Sequence, residues 1–110
     1  MQEIDEATTR QIQELQILEQ NLQNLMLQRQ AFQVEENENE NALNELKKTK
    51  EDAYRIIGQI MIKADKEELE KDLKHKKEII ALRIKSIEKQ EGILKGQISK
   101  IREDITDRLK

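Results

Sequence analysis

The sequence predicts a mainly helical fold, in which two long amphipathic helices pair antiparallel as a coiled coil and are joined by a short β-hairpin. Three observations carry this. Of the 110 residues 39% are charged and 35% hydrophobic, with one Phe, one Tyr and no Trp. A core built from so few large side chains has to be thin and linear. There is no Pro and there are only three Gly, so long runs carry no helix breaker. Apolar residues recur every seven positions in both halves, and a β-branched cluster around a glycine lies between them. That periodicity, with a net charge of only −3, argues against a disordered chain.

The first helix is read over residues 4–50. One ladder runs through Ile4, Gln11, Leu18, Leu25, Phe32, Asn39 and Leu46, and a second through Thr8, Leu15, Leu22, Arg29, Glu36 and Leu43. The β-hairpin follows over residues 53–64. Tyr54, Ile56 and Ile57 precede the turn, Ile60, Met61 and Ile62 follow it, and Gly58 can adopt the positive φ that a tight turn demands. The second helix is read over residues 66–109, with Asp65 as its N-cap and Glu68 completing a capping-box-like pattern. Its ladders are Leu73, Ile80, Ile87, Leu94 and Ile101, and Lys77, Ile84, Glu91, Ile98 and Ile105. Each helix is expected to be regular for roughly 40 residues, which at 1.5 Å per residue is about 60 Å. The chain, residues 1–110, is expected to form a single domain.

A short connector makes the helices antiparallel neighbours. If Leu43 faces Leu73, Phe32 falls on Ile84, Leu22 on Leu94, Leu18 on Ile98 and Leu15 on Ile101. The same register sets Asn39 against Lys77, Arg29 against Ile87 and Leu25 against Glu91, so the middle, which includes the polar stretch EENENENALN (Glu35 to Asn44), is expected to pack loosely. Charge favours pairing within the chain, since residues 1–55 carry net −6 and residues 56–110 net +3.

Chemistry-bearing motifs are absent. Without cysteine there are no disulfides, thiolate metal sites or thiol nucleophiles. His75 stands alone among lysines in KDLKHKK and reads as a solvated helix position. The many Glu residues form the solvated face of a coiled coil, and Gly92 and Gly96 in EGILKGQ lack the ending of a phosphate-binding loop. No enzyme activity, metal or cofactor is expected. The start MQEIDEATTRQ has neither a basic nor an apolar run, and no apolar stretch reaches the ~18 residues of a membrane span, so a soluble, cytoplasmic protein without a membrane partner is expected. Lys71, Lys74, Lys76 and Lys77 form one basic run that an RNA-binding helical arm would use. Glu70, Asp72 and Glu78 interrupt it and aromatic stacking residues are missing, so no nucleic-acid partner is expected.

What remains is apolar surplus. Ile12, Ile17, Met26, Leu27, Ile79, Leu82, Ile93 and Leu109 lie off the ladders, and an exposed apolar patch marks contact with other proteins. Two strands alone are marginal in water, so the hairpin is expected to pair edge to edge with strands of other subunits. Read from the heptads alone, the chain is a structural coiled-coil scaffold.

The segment DAYRIIGQIMIKADKEELEKDL (Asp52 to Leu73) has an aromatic and basic pair, a Gly-centred hairpin, an aliphatic strand ending in Lys and an acidic helix start. Together with LRIKSIEKQE (Leu82 to Glu91), it resembles the beta class of the archaeal and eukaryotic prefoldin family. The resemblance implies a cytoplasmic hetero-hexamer of two alpha-class and four beta-class subunits. Its hairpins would assemble into an intersubunit β-barrel through, in this chain, Tyr54, Ile56, Ile57, Gly58, Ile60, Met61 and Ile62. It further implies an ATP-independent holdase whose arm tips capture non-native polypeptides and deliver them to a group II chaperonin. The tip residues here would be Ile4, Ile12, Leu15, Ile17, Leu18, Ile98, Ile101, Ile105 and Leu109.

Overall fold

The computed structural model describes residues 5–110. Helix α1 spans Glu6–Lys48, strands β1 and β2 span Ala53–Ile57 and Ile60–Ala64, and helix α2 spans Lys66–Leu109. Both helices begin on an aspartate. At α1 the Asp5 carboxylate accepts the Thr8 amide at 2.7 Å, which satisfies a donor that has no partner inside the helix. At α2 the Asp65 carboxylate accepts the Glu67 amide at 3.1 Å. The Asp65 cap is therefore present, but its bond goes to Glu67 and not to Glu68, the residue expected to complete the box. Acidic residues in the first turns (Glu6; Glu67, Glu68) and basic ones in the last (Lys47, Lys48; Arg108) complement the helix dipoles.

The chain divides into two compact units, one made of Lys85–Lys110 with the described residues of Met1–Gln30, the other of Ala31–Ile84. Helices run antiparallel in each. In the first, Glu19 meets Arg102 and Arg29 meets Glu91, around buried Ile87 and Ile98. In the second, the Arg83 guanidinium lies 5.6 Å from the Phe32 ring centroid, Glu35 meets Lys76, and the Asn39 amide donates to the Leu73 carbonyl at 2.9 Å, around buried Leu43, Ile80 and Ile84.

Every described ladder position of α1 is buried or half-buried, and so is every ladder position of α2 except Lys77. Lys77 turns out to solvent and pairs with Glu40 at 3.1 Å, while Asn39 reaches the Leu73 backbone instead of facing Lys77. A cation has little to gain in an apolar seam, whereas the short amide finds a carbonyl one turn away. Arg29, expected against Ile87, binds Glu91 with Nε 2.6 Å from Oε1, and Glu91 was expected against Leu25. The two misfits of the heptad pattern are thus each other's partners, four residues out of the simple register. The centre is not merely loose, because its polar groups engage specific partners.

Candidate functional site

The hairpin is a two-stranded antiparallel sheet with Ala53 opposite Ala64, Tyr54 opposite Lys63, Arg55 opposite Ile62, Ile56 opposite Met61 and Ile57 opposite Ile60. Two residues, Gly58 and Gln59, make the turn. Gly58 has φ +61° and no non-glycine residue among those described has positive φ, which fits a type II′ turn with Gly at its first central position. Side chains alternate across the sheet. One face carries Arg55, Ile57, Ile60 and Ile62, the other Tyr54, Ile56, Met61 and Lys63. Both faces are rich in large apolar groups, and the six from Tyr54 to Ile62 are 47–69% exposed. Polar ties anchor the base. Arg55 pairs with Asp72, Lys63 lies 3.4 Å from Asp52, and the Lys66 ammonium donates to the Thr49 carbonyl at 2.9 Å. Beside these ties a cleft of about 630 Å³ is walled by Leu46, Ala53, Tyr54, Leu69 and Leu73.

Such a sheet is unusual for an isolated chain. Two strands with free outer edges and apolar groups on both faces present backbone and side chains for a partner. The residues expected to mediate assembly are brought together here.

The residues expected to bind clients divide by burial. Ile17 and Leu109 are exposed, Ile12, Leu15, Leu18, Ile101 and Ile105 are half-buried, and Ile98 is buried in the seam. Ile4 lies outside the described residues. Among the off-ladder residues Leu27, Ile79, Leu82 and Ile93 are exposed and Met26 is half-buried. Val34, which lies off both ladders between Gln33 and Glu35, is exposed as well. At this end of α1, hydrogen bonds from the Thr8 hydroxyl and amide hold the Asp5 carboxyl below the usual aspartate range.

The basic run is largely engaged. Lys74 pairs with Glu70, Lys76 with Glu35 and Lys77 with Glu40. His75 is exposed, and among the described residues no acidic, histidine or cysteine cluster is arranged to hold a metal. No helix among them is long and apolar enough to cross a membrane. Gly92 and Gly96 lie inside α2 and form no loop.

The sequence profile of the prefoldin subunit family matches residues 9–110. The chain belongs to that family. It is 36% identical to a prefoldin subunit beta of Pyrobaculum islandicum over 90 residues, covering 80% of this chain and 72% of that protein. It is 37% identical to one of Methanosarcina acetivorans over 101 residues, covering 90% and 86%. The crystal structure of the prefoldin beta subunit from Thermococcus strain KS-1 superimposes with a TM-score of 0.92 at 27% identity, over 100% of this chain and 98% of that one. Prefoldin subunits are non-enzymatic chaperone subunits that assemble with other prefoldin subunits.

Proposed function

We propose that this chain is the beta-class subunit of an ATP-independent holdase in the cytoplasm. It joins an alpha-class partner and further beta-class copies through its hairpin, in a hexamer of two alpha and four beta subunits whose hairpins close a β-barrel. The carrying observation is the hairpin, whose apolar side chains are exposed on both faces of a sheet with two free edges. Burying them against like strands completes the backbone hydrogen bonds and removes apolar surface from water in one step.

Clients are held where α1 begins and α2 finishes. Ile17 and Leu109 supply the outward apolar contacts, and half-buried Ile12, Leu15, Leu18, Ile101 and Ile105 become available as the helix ends part. Ile98 serves such contact only on wider opening, and Ile4 belongs to the same proposed surface. Single contacts of this kind are weak. Several chains around one client multiply them by effective concentration, which suits capture without sequence preference. Release by handover to a group II chaperonin then requires no nucleotide chemistry in this chain.

The test is to purify the complex from its own host, identify the companions, and follow aggregation of a chemically unfolded client with and without it. Slower aggregation, with the client passing to added group II chaperonin, is the expected result. A complex that leaves aggregation unchanged refutes the holdase reading. An oligomer that survives deletion of residues 54–62 returns the chain to the role of a structural coiled coil.

A further inference from the structure

Alongside the seam of the first compact unit runs a second groove, of about 550 Å³, whose chemistry differs from the rest of the surface. Its walls are Asn21, Asn24 and Gln28 of α1 and Gln90 and Gln97 of α2, with Leu25, Ile93 and Leu94 as the apolar component. In a chain that is 39% charged, none of these eight residues is ionisable. On α1 the neutrality is continuous, since Gln20 to Gln28 carry no charge between Glu19 and Arg29. Those flanking charges are spent, Glu19 on Arg102 and Arg29 on Glu91. The five carboxamides, by contrast, are exposed, and none takes part in a side-chain hydrogen bond among the described residues.

A carboxamide offers two donors and an acceptor, the same functions as the peptide group. A groove that sets five of them around an apolar strip, with Ile93 more than half exposed, is matched to an extended polypeptide whose backbone is unpaired. Its neutrality complements the uncharged, apolar stretches that a non-native protein exposes and sets no sequence requirement. Its size lies within the range of about 300–1,000 Å³ typical of ligand-holding clefts.

We infer that this groove is a client-binding subsite in its own right, taking an uncharged extended segment of a non-native polypeptide through backbone hydrogen bonds to the carboxamides of Asn21, Asn24, Gln28, Gln90 and Gln97. The inference rests on the holdase reading and adds to it a site distinct from the apolar helix ends.

The test compares three versions of the complete complex binding a reduced, carbamidomethylated α-lactalbumin, a client that cannot refold and whose blocked cysteines carry no charge. Asn24→Ala with Gln97→Ala deletes two carboxamides at exposed helix positions where alanine favours the helix, so folding is preserved. Asn24→Gln with Gln97→Asn keeps both. At the usual worth of hydrogen bonds the alanine pair weakens client binding about five-fold or more, while the amide swap stays within about two-fold of the parent. Equal binding by parent and alanine pair overturns the groove as a subsite while leaving the holdase reading standing. Tighter binding by the alanine pair overturns it too, because plain apolar contact would then govern. If the parent complex binds no client, the holdase reading fails and the groove falls with it.

Discussion

If the hairpin is an assembly element, replacing Ile56 and Met61 by serine has to damage association and spare the chain. These residues face each other across the strands and are 69% and 65% exposed in the single chain. Full burial of an Ile or Met side chain is worth about 1.5–3 kcal/mol, and two thirds of that, about 1–2 kcal/mol each, remains to be gained on association. The pair therefore contributes about 2–4 kcal/mol per interface, so the double variant should dissociate at concentrations about 30-fold to 1,000-fold higher than the parent. Within the chain the loss is one cross-strand pair, about 0.2–1 kcal/mol, confined to the hairpin. Sedimentation velocity over a dilution series reads the first quantity, and helix melting by circular dichroism on dissociated protein reads the second. An unchanged native mass at every dilution refutes the reasoning. So does helix melting that falls as far as association does, because the side chains would then be holding this chain and not its neighbours.

Gly58→Ala places a Cβ in open space, so its cost is purely that of positive φ, about 1–2 kcal/mol for a non-glycine residue. Amide exchange across Ile57–Ile60 should then accelerate about 5- to 30-fold, whereas Gln59→Ala leaves it unchanged. Ile80→Ala removes three carbons from a position that is 3% exposed and should cost about 2–3 kcal/mol in denaturant unfolding. Leu82→Ala, at 68% exposure, should stay within about 0.5 kcal/mol. Asp5 titrates below its usual range in the folded chain because of Thr8, so its contribution is complete above the ordinary aspartate pKa of about 3.9 and is lost as pH falls through the lowered value. Asp5→Asn keeps a capping oxygen without the titration, and its stability should decline less steeply than the parent's below about pH 4; superimposable acid limbs would contradict this.

The seam was legible because burial in a coiled coil follows a period that sequence displays directly. Gln11, Glu36 and Asn39 were placed on it by position alone, against their polarity, and all three are buried or half-buried. Gly58 was legible for a similar reason, since few residues tolerate its backbone. Partnership was harder to read. Heptad arithmetic pairs residues by level, whereas Arg29 and Lys77 have long side chains that reach a carboxylate up to a turn away, so the register missed the Arg29–Glu91 and Lys77–Glu40 ion pairs. Ladder membership also separates two of the tip residues, since Ile98 stands on a ladder and is buried while Ile17 stands off the ladders and is exposed; it does not account for Ile12, which is off the ladders and yet half-buried. The carboxamide groove has no heptad signature, because it draws on the uncharged run Gln20 to Gln28 and on Gln90 and Gln97, which only the pairing of the two helices brings together.

The polar seam residues bear on a hazard that the heptad itself creates. Two helices with strict seven-residue ladders can slide by seven residues and still set apolar against apolar, and the hairpin restrains such slippage most strongly in the turns next to it. Arg29 and Glu91 lie about five or more helical turns from the hairpin along their helices. Sliding one helix by a heptad would bring Ile84 or Ile98 to the place that Glu91 holds against Arg29, and correspondingly Leu22 or Glu36 to the place that Arg29 holds against Glu91. Either outcome strands a charge in the seam or sets two carboxylates together, which is far costlier than losing a favourable pair. Nearer the hairpin, Asn39 binds the Leu73 carbonyl while its own side-chain oxygen remains buried without a partner, a cost that packing alone would not select. Both features fit a seam that gives up some packing energy to keep one register, as a single polar residue does in parallel coiled coils. The client-binding reading depends on that register, since it decides which apolar residues, such as Ile17 and Leu109, remain outside.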